Sequence, residues 1–447
     1  MKKFIETISN IWKIEELRQR ILFTLGFLLI FRLGTYVVIP GVDALALEQA
    51  NKESQQGGLL ALIDIFAGGA FSRASIFGLG IMPYISASII LQLLTMALPY
   101  FQRLQRDGES GRKKINQYTR YLTVAITAMQ ATGYLATQVV IKDGVVPDIS
   151  SWWWIQSVLV LVAGTIFVMW LGEKITDKGI GNGISLIIMI GIIARLPFAL
   201  FSELDSRYNQ DNGGLIMFLV EMAVLMVVVI FCILMVQGTR RIPVHFAKRI
   251  VGNKQYGGNR NFIPLKVNAA GVMPIIFAQA IMLIPITLVG FAADQSSAFV
   301  RTFSNHYGFW YNFVEALLIV VFTYFYTAIT INPTTMADEL KRNEGFIPGV
   351  KPGKKTAEHI DQIMSRITLP GSLMLAGIAA LPAVVIHFGV SNEFAQFFGG
   401  TSILILVGVV LDTLQQIESY LLMRHYDGLM KSGRIKGRTS TGMQAAY

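Results

Sequence analysis

Ten separate apolar stretches constrain this chain more than anything else in it. They fall at roughly residues 21–39, 76–98, 118–139, 153–172, 183–201, 214–236, 268–291, 311–331, 367–388 and 400–421. Each comes close to the ~20 residues a helix needs to cross a bilayer. In lipid a spanning segment must satisfy its own backbone polar groups, and runs of this length do so as helices. Only 15% of the residues are charged, against the ~25% usual in soluble domains. The expected class is therefore an all-α polytopic membrane protein. The single cysteine, Cys232, lies within an apolar run, so no intrachain disulfide is expected. The run after Arg20 reaches Pro40 without a small-residue cleavage site and reads as an anchor, not a removable signal.

One hydrophobic piece does not fit the spanning pattern. Leu60 to Arg73 is short and is broken by Gly68, Gly69, Ser72 and Arg73, immediately before the second long run. Such a piece suits a re-entrant segment, which survives at membrane depth only where protein or water surrounds it. The run behind it carries Ile81 and Ile85, one helical turn apart and so on one face. A plug-like segment ahead of an isoleucine face points to a closed pore, because bulky apolar side chains can seal a pore by dewetting.

The basic residues set the orientation. Ten spans place both termini on one side, and 31 of the 38 Lys/Arg lie in the segments of that side. By the positive-inside rule both termini are expected in the cytoplasm. Residues 1–20, with five Lys/Arg among apolar positions, read as an amphipathic helix at the interface. Two loops on the same side, 237–267 and 333–366, are longer than a helix connection requires. The first contains seven basic residues, no acid and a turn signal at Gly257-Gly258 between strand-like runs. The second reads as helix, Pro/Gly turn and helix start. Neither has an evident core of its own. With the basic tail 422–447 they suit a large anionic partner.

Catalytic chemistry finds no foothold. The five histidines are scattered without metal-ligand spacing. The GIGNG run at Gly179–Gly183 follows no strand and reads as a tight interhelical turn, not as a dinucleotide fingerprint. Ser185 and His387 fall toward opposite ends of their spans, against a serine-protease pairing. Ionisable groups are also scarce at span centres, Arg32 excepted, which disfavours an ion-coupled transporter. Pro83, Pro274 and Pro285 mark spans two and seven as bendable, and Gln92, Gln130 and Gln279 place amides in spans two, three and seven. Those amides either glue helices together or line a seam that opens sideways. Channel and transporter both remain open on these cues alone.

A motif series then separates them. GGAFSRASIFGLGIMPYISASIILQLL, GESGRKKINQYTRY, GIGNGIS, LKVNAAGVMPIIFA, INPTTMADELKRNEGFIPGVKPGKKTAEHID and GGTSILILVGVVLD occur in this order. Together they closely resemble the SecY family, the channel subunits of the bacterial Sec protein translocase. The resemblance implies two inverted-repeat halves of five helices, residues 21–210 and 211–421, around a central pore. It implies a pore ring of Ile81, Ile85, Ile188, Ile192, Ile276 and Ile405. The plug would be residues 60–73, including Ile63, Ile65, Phe66, Gly68, Gly69, Phe71, Ser72 and Arg73. The lateral gate would lie between spans two/three and seven/eight, with Gln92, Gln130 and Gln279. Arg240, Arg241, Lys248, Arg249 and Lys351 would dock the ribosome or the SecA motor. Lys351 stands where the family usually has arginine, which keeps the charge but loses the bidentate fork. Further implied partners are SecE and SecG, signal sequences and nascent polypeptides, membrane lipid, and accessory Sec or insertase proteins. The resemblance implies no cofactor, no enzyme activity and residence in the bacterial cytoplasmic membrane.

Overall fold

The computed structural model describes Trp12 and residues 14–53, 64, 66–140, 144–146, 150–209, 214–246, 248–251, 254–257, 260–279, 281–282 and 307–431. Long helices dominate it. The first, α1 (Glu15–Gly34), opens with Glu15 and Glu16 at the positive end of its dipole. It runs without a break from the basic N-terminal region into the first apolar stretch. Most of the expected interfacial helix of residues 1–20 lies outside the described residues, and α1 itself continues past residue 20. A short α2 (Ala44–Glu53) follows.

The second apolar stretch is only partly helical. Its helix, α3, spans Met82–Ala97, with Ile81 as N-cap and Pro83 in the first turn, where a missing N–H costs nothing. The expected start at Ile76 is thus wrong by about one and a half turns. The reason lies in backbone pairing. Ile76 N donates to Val37 O and Ile39 N to Ala74 O, both at 2.9 Å, so residues 74–76 lie alongside 37–39 in an extended bridge. Gly80 has positive φ (54°) immediately before the helix begins. At Leu98 the chain bends by 102° into α4 (Pro99–Arg106).

Helix α5 (Glu109–Tyr134) continues into a π turn at Leu135–Val140. Its Thr119, Thr123 and Thr127 form a buried stripe, and each hydroxyl donates to the carbonyl four residues earlier. Helix α6 (Ser151–Lys178) is capped by Ser150 Oγ, which accepts from Trp153 N. The GIGNG run is the tight turn expected, joining α6 to α7 (Gly183–Asn209). Gly164 on α6 is needed for close approach, since a Cβ there would lie 2.0 Å from Ile76 O. Helix α8 (Gly214–Gln237) is apolar all round and mostly exposed, as a lipid-facing helix must be. Helical residues 273–279 represent the seventh stretch; Pro274 starts that helix, and Pro285 lies outside the described residues. The set closes with α9 (Phe309–Thr330), α10 (Pro333–Arg342), α11 (Lys354–His387), α12 (Asn392–Ala395) and α13 (Gly400–Lys431). Among the described residues six helices are long and apolar enough to cross a membrane, or seven with the bent pair of α3 and α4.

The two long loops correct a second expectation. The first forms β1 (Thr239–Phe246), β2 (Lys248–Val251), β3 (Lys254–Gly257) and β4 (Arg260–Lys266). Val251 pairs with Lys254, so the chain reverses between them, and Gly257 lies in the ladder opposite Lys248. Gly258 of the expected Gly257-Gly258 turn lies outside the described residues, between β3 and β4. The second loop adds β5 (Gly345–Phe346), giving an antiparallel sheet of order β4–β1–β5. Neither loop could bury a core alone, but jointly they do. Ile242, Val244 and Leu265 pack with Leu340, Ile347, Ile360 and Met364. Alternation along β1 puts Ile242 and Val244 inward and Arg241 outward, and Arg240, near the start of the strand, is exposed as well.

Ile360 is fully buried in that lobe. Ile360→Ala should destabilise it by about 2–5 kcal/mol. Limited proteolysis would then cut within 237–267 faster than in the unaltered chain, while the membrane-embedded helices stay protected.

Candidate functional site

The glycine-broken segment is the best candidate site, because its backbone is irregular and almost entirely buried. Residues 66–71 are all buried, Phe66 and Phe71 at 6% exposure and Ala70 at 0%. Gly68 and Gly69 both have positive φ, at 65° and 86°, which only glycine adopts without strain. Gly68 also has no room for a side chain. A Cβ there would meet Gly191 Cα at 3.0 Å. Gly191 lies between Ile188 and Ile192 on α7, so the segment rests on the isoleucine-bearing face.

Four polar side chains hold this segment. Asp64 Oδ1 accepts from Ser72 N (2.8 Å) and Asp64 O from Gly69 N (2.8 Å), closing the loop on itself. Arg195 of α7 forms an ion pair with Asp64 Oδ2 and donates to Ser72 Oγ (3.1 Å). Arg32 of α1 donates through Nη1 to Gly68 O at 2.7 Å and through Nη2 to Tyr36 OH at 3.1 Å. Tyr134 of α5 donates to Phe71 O at 2.7 Å, its ring 4.7 Å from that of Phe71. Arg73 stacks over the Tyr36 ring at 4.4 Å. The midplane arginine is therefore paired within the bundle.

Sequence reasoning missed Asp64, Arg195 and Tyr134. A signal for the first two existed. Asp64 is the one acid between residues 54 and 106, and Arg195 interrupts an apolar helix. An unpaired charge in either place would be expensive, which predicts a partner without saying which.

The structure treats the remaining expected residues unequally. Ile81, Ile188, Ile192 and Ile405 are buried at 2%, 5%, 0% and 2% exposure. They share one core cluster with Phe66, Ala67, Ala70 and Phe71, and Ile85 packs partly buried against it. Ile276 is half-buried and is not a member of that cluster; Val272, one turn before it, packs against the cluster. Ile63 and Ile65 lie outside the described residues. Of the three glutamines, Gln92 is half-buried, Gln130 is exposed, and Gln279 hydrogen-bonds Glu315. Arg240, Arg241 and Lys351 are exposed on the loop lobe, and Lys248 and Arg249 belong to β2. No group of three His, Cys, Asp or Glu that could hold a metal occurs among the described residues.

A multi-helix bundle in which protein encloses a non-spanning segment at depth has the build of a membrane channel with an internal obstruction. Solved structures agree on the fold. One of a protein-conducting channel matches with TM-score 0.64 at 16% identity, covering 94% of this chain and 95% of that one. One of canine Sec61 bound to the ribosome matches with TM-score 0.60 at 16% identity, covering 94% and 95%. The family follows from sequence. The SecY family profile matches residues 75–414. The protein translocase subunit SecY of Streptomyces scabiei is 43% identical, with 96% of this chain and all of that protein covered. That of Mycobacterium bovis is 41% identical over 96% of this chain and all of its own. The chain belongs to the SecY family. It is accordingly a channel subunit, not an enzyme, and a multi-pass protein of the bacterial inner membrane.

The Asp64–Arg195 pair generates a test. Asp64→Asn and Arg195→Gln should each lower thermal stability more than half as much as the double substitution does. A double-mutant cycle should give a coupling of about 1–3 kcal/mol. Additive effects would show that the two charges do not depend on each other.

Proposed function

We propose that this chain conducts unfolded secretory polypeptides across the cytoplasmic membrane and releases sufficiently apolar segments sideways into lipid. At rest, residues 60–73 act as a plug against a ring of Ile81, Ile85, Ile188, Ile192, Ile276 and Ile405. The observation that carries this reading is the burial of Gly68 against Gly191, between two of those isoleucines on one helix. A segment so placed blocks any path lined by that helix face.

Opening, in this reading, begins at the loop lobe. Arg240 and Arg241, both exposed on the strand that carries the buried Ile242 and Val244, present positive charge to a ribosome or to the SecA motor. Lys248, Arg249 and Lys351 extend the same patch. Both termini then face the cytoplasm, as the distribution of 31 of 38 basic residues supports. A signal sequence parts the seam between the α3/α5 pair and the helix of residues 273–279, where Gln92, Gln130 and Gln279 lie. The plug is released when its hydrogen bonds to Arg32, Arg195 and Tyr134 exchange for water. An extended chain then threads the apolar ring, which closes around it and limits ion leak. SecE and SecG complete the complex at its lipid-facing surfaces, with accessory Sec or insertase proteins as further partners. The energy comes from the ribosome or the motor.

Conductance in planar bilayers tests the reading. The chain with its small partner subunits should be closed at rest and should open when a signal peptide is added. Deleting residues 60–73 should leave it conducting without peptide. Asp64→Asn, which loosens the plug without removing it, should give intermittent openings. A deletion as tight as the unaltered channel would refute the plug assignment and leave the segment a packing element.

A further inference from the structure

A second polar site lies apart from the plug, between helices of the C-terminal region. A cavity of about 20 Å³ is lined by polar side chains of Gln279, Tyr307, Asn312, Glu315, Gln396 and Ser402. Roughly 10–15 Å³ is enough for one water-sized guest. Gly399 and Gly400 also line it, with Ala379, Pro382 and Ala383, and Gly399 packs so closely that a Cβ there would lie 2.4 Å from Ile378 O. No Lys, Arg or His lines it.

Two features distinguish it from a hole filled by chance. Glu315 is only 5% exposed and has no basic partner among the described residues, its side-chain hydrogen bond coming from Gln279. The other buried carboxylates are treated differently. Asp64 pairs with Arg195, and Glu203 and Glu221 both pair with Arg207. Independently, Gln396 is 3% exposed, and its Nε2 is committed to Tyr307 OH (3.3 Å), yet its Oε1 has no partner among the described residues. A buried carbonyl oxygen and a buried carboxyl group, on residues that line one cavity, have no positive counterpart among the described residues.

We propose that this cavity binds one monovalent hard cation, sodium by size. The lining oxygens are carboxylate, amide carbonyl and hydroxyl, all hard donors that suit alkali and alkaline-earth ions over transition metals. Charge selects between those two groups. One carboxylate neutralises one positive charge, whereas a divalent ion would leave a net charge buried in apolar surroundings. The bound ion ties Gln279, on the helix of residues 273–279, to Glu315 on α9 and Gln396 beside α12. This inference is independent of the plug and ring, since its readout is ion binding.

Equilibrium binding of radiolabelled sodium to the purified full chain with its small subunits tests it. Choline replaces sodium at constant ionic strength to define the background. Expected is one saturable class of sites, competed by unlabelled sodium and not by choline. Glu315→Gln keeps the size and removes the charge, and Gln396→Leu removes the carbonyl. Each should weaken binding at least about 10-fold, a change of one decade in the dissociation constant. The thermal transition in sodium-free buffer reports whether each variant still folds. Absence of saturable binding in the unaltered chain would overturn the proposal and leave Glu315 a carboxyl bonded to Gln279 beside a water-sized void. Undiminished binding in both folded variants would overturn it as well, by placing the ion elsewhere.

Discussion

A backbone amide or carbonyl at membrane depth has no water to bond with, so any departure from the helix must be answered by protein. Residues 66–81 of this chain make that departure, and many of its backbone groups are bonded within the stretch or to distant helices. Some bonds are internal: Ser75 N reaches Ala70 O, Gly78 N reaches Ser75 O, and Phe77 N reaches Ser75 Oγ. Others come from helices far away in sequence, with Arg32 on Gly68 O, Tyr134 on Phe71 O and Ile39 N on Ala74 O. The segment is therefore ordered by its surroundings. In the proposed function the same bonds are what water must replace when the segment leaves.

Buried charge obeys the same accounting. Asp64 sits against Arg195, and Arg207 bridges Glu203 on its own helix to Glu221 on α8, with Gly389 O taking a further N–H at 2.8 Å. That last network joins α7, from the first half of the chain, to α8 and the turn after α11 from the second. Removing either partner of such a pair leaves an uncompensated charge, so these contacts fix which helix faces meet. Glu315 alone departs from the pattern among these carboxylates, and its neighbours are amides and hydroxyls instead of a guanidinium.

Outside the membrane the physics reverts to that of a soluble protein. Two basic loops that are each too polar to fold alone share one small apolar core, sandwiched between a sheet and the start of α11. The core holds Arg240 and Arg241 on a rigid strand. A flexible loop would present the same charge with a larger entropic cost of docking.

Much of this was legible from residue order. The apolar runs required membrane helices because lipid offers the backbone no alternative, and the glycines at 68 and 69 required a break where side chains would be strained. The motif series named the family. The start of α3 was not legible, because Ile76–Ile81 is as apolar as any helix, and its backbone was claimed by residues 37–39, distant in sequence. The joint core of the loops escaped for the same reason: each half supplies too few apolar residues to notice. Asp64 and Arg195 were visible as charges needing partners, but 131 positions of chain separate them. Sequence by itself determined which segments enter the membrane, since hydropathy and backbone satisfaction are local properties. Only the tertiary structure decided which charges meet, what holds the glycine-broken segment and which buried carboxyl is met by an amide instead of a guanidinium among the described residues, since each depends on packing between distant segments.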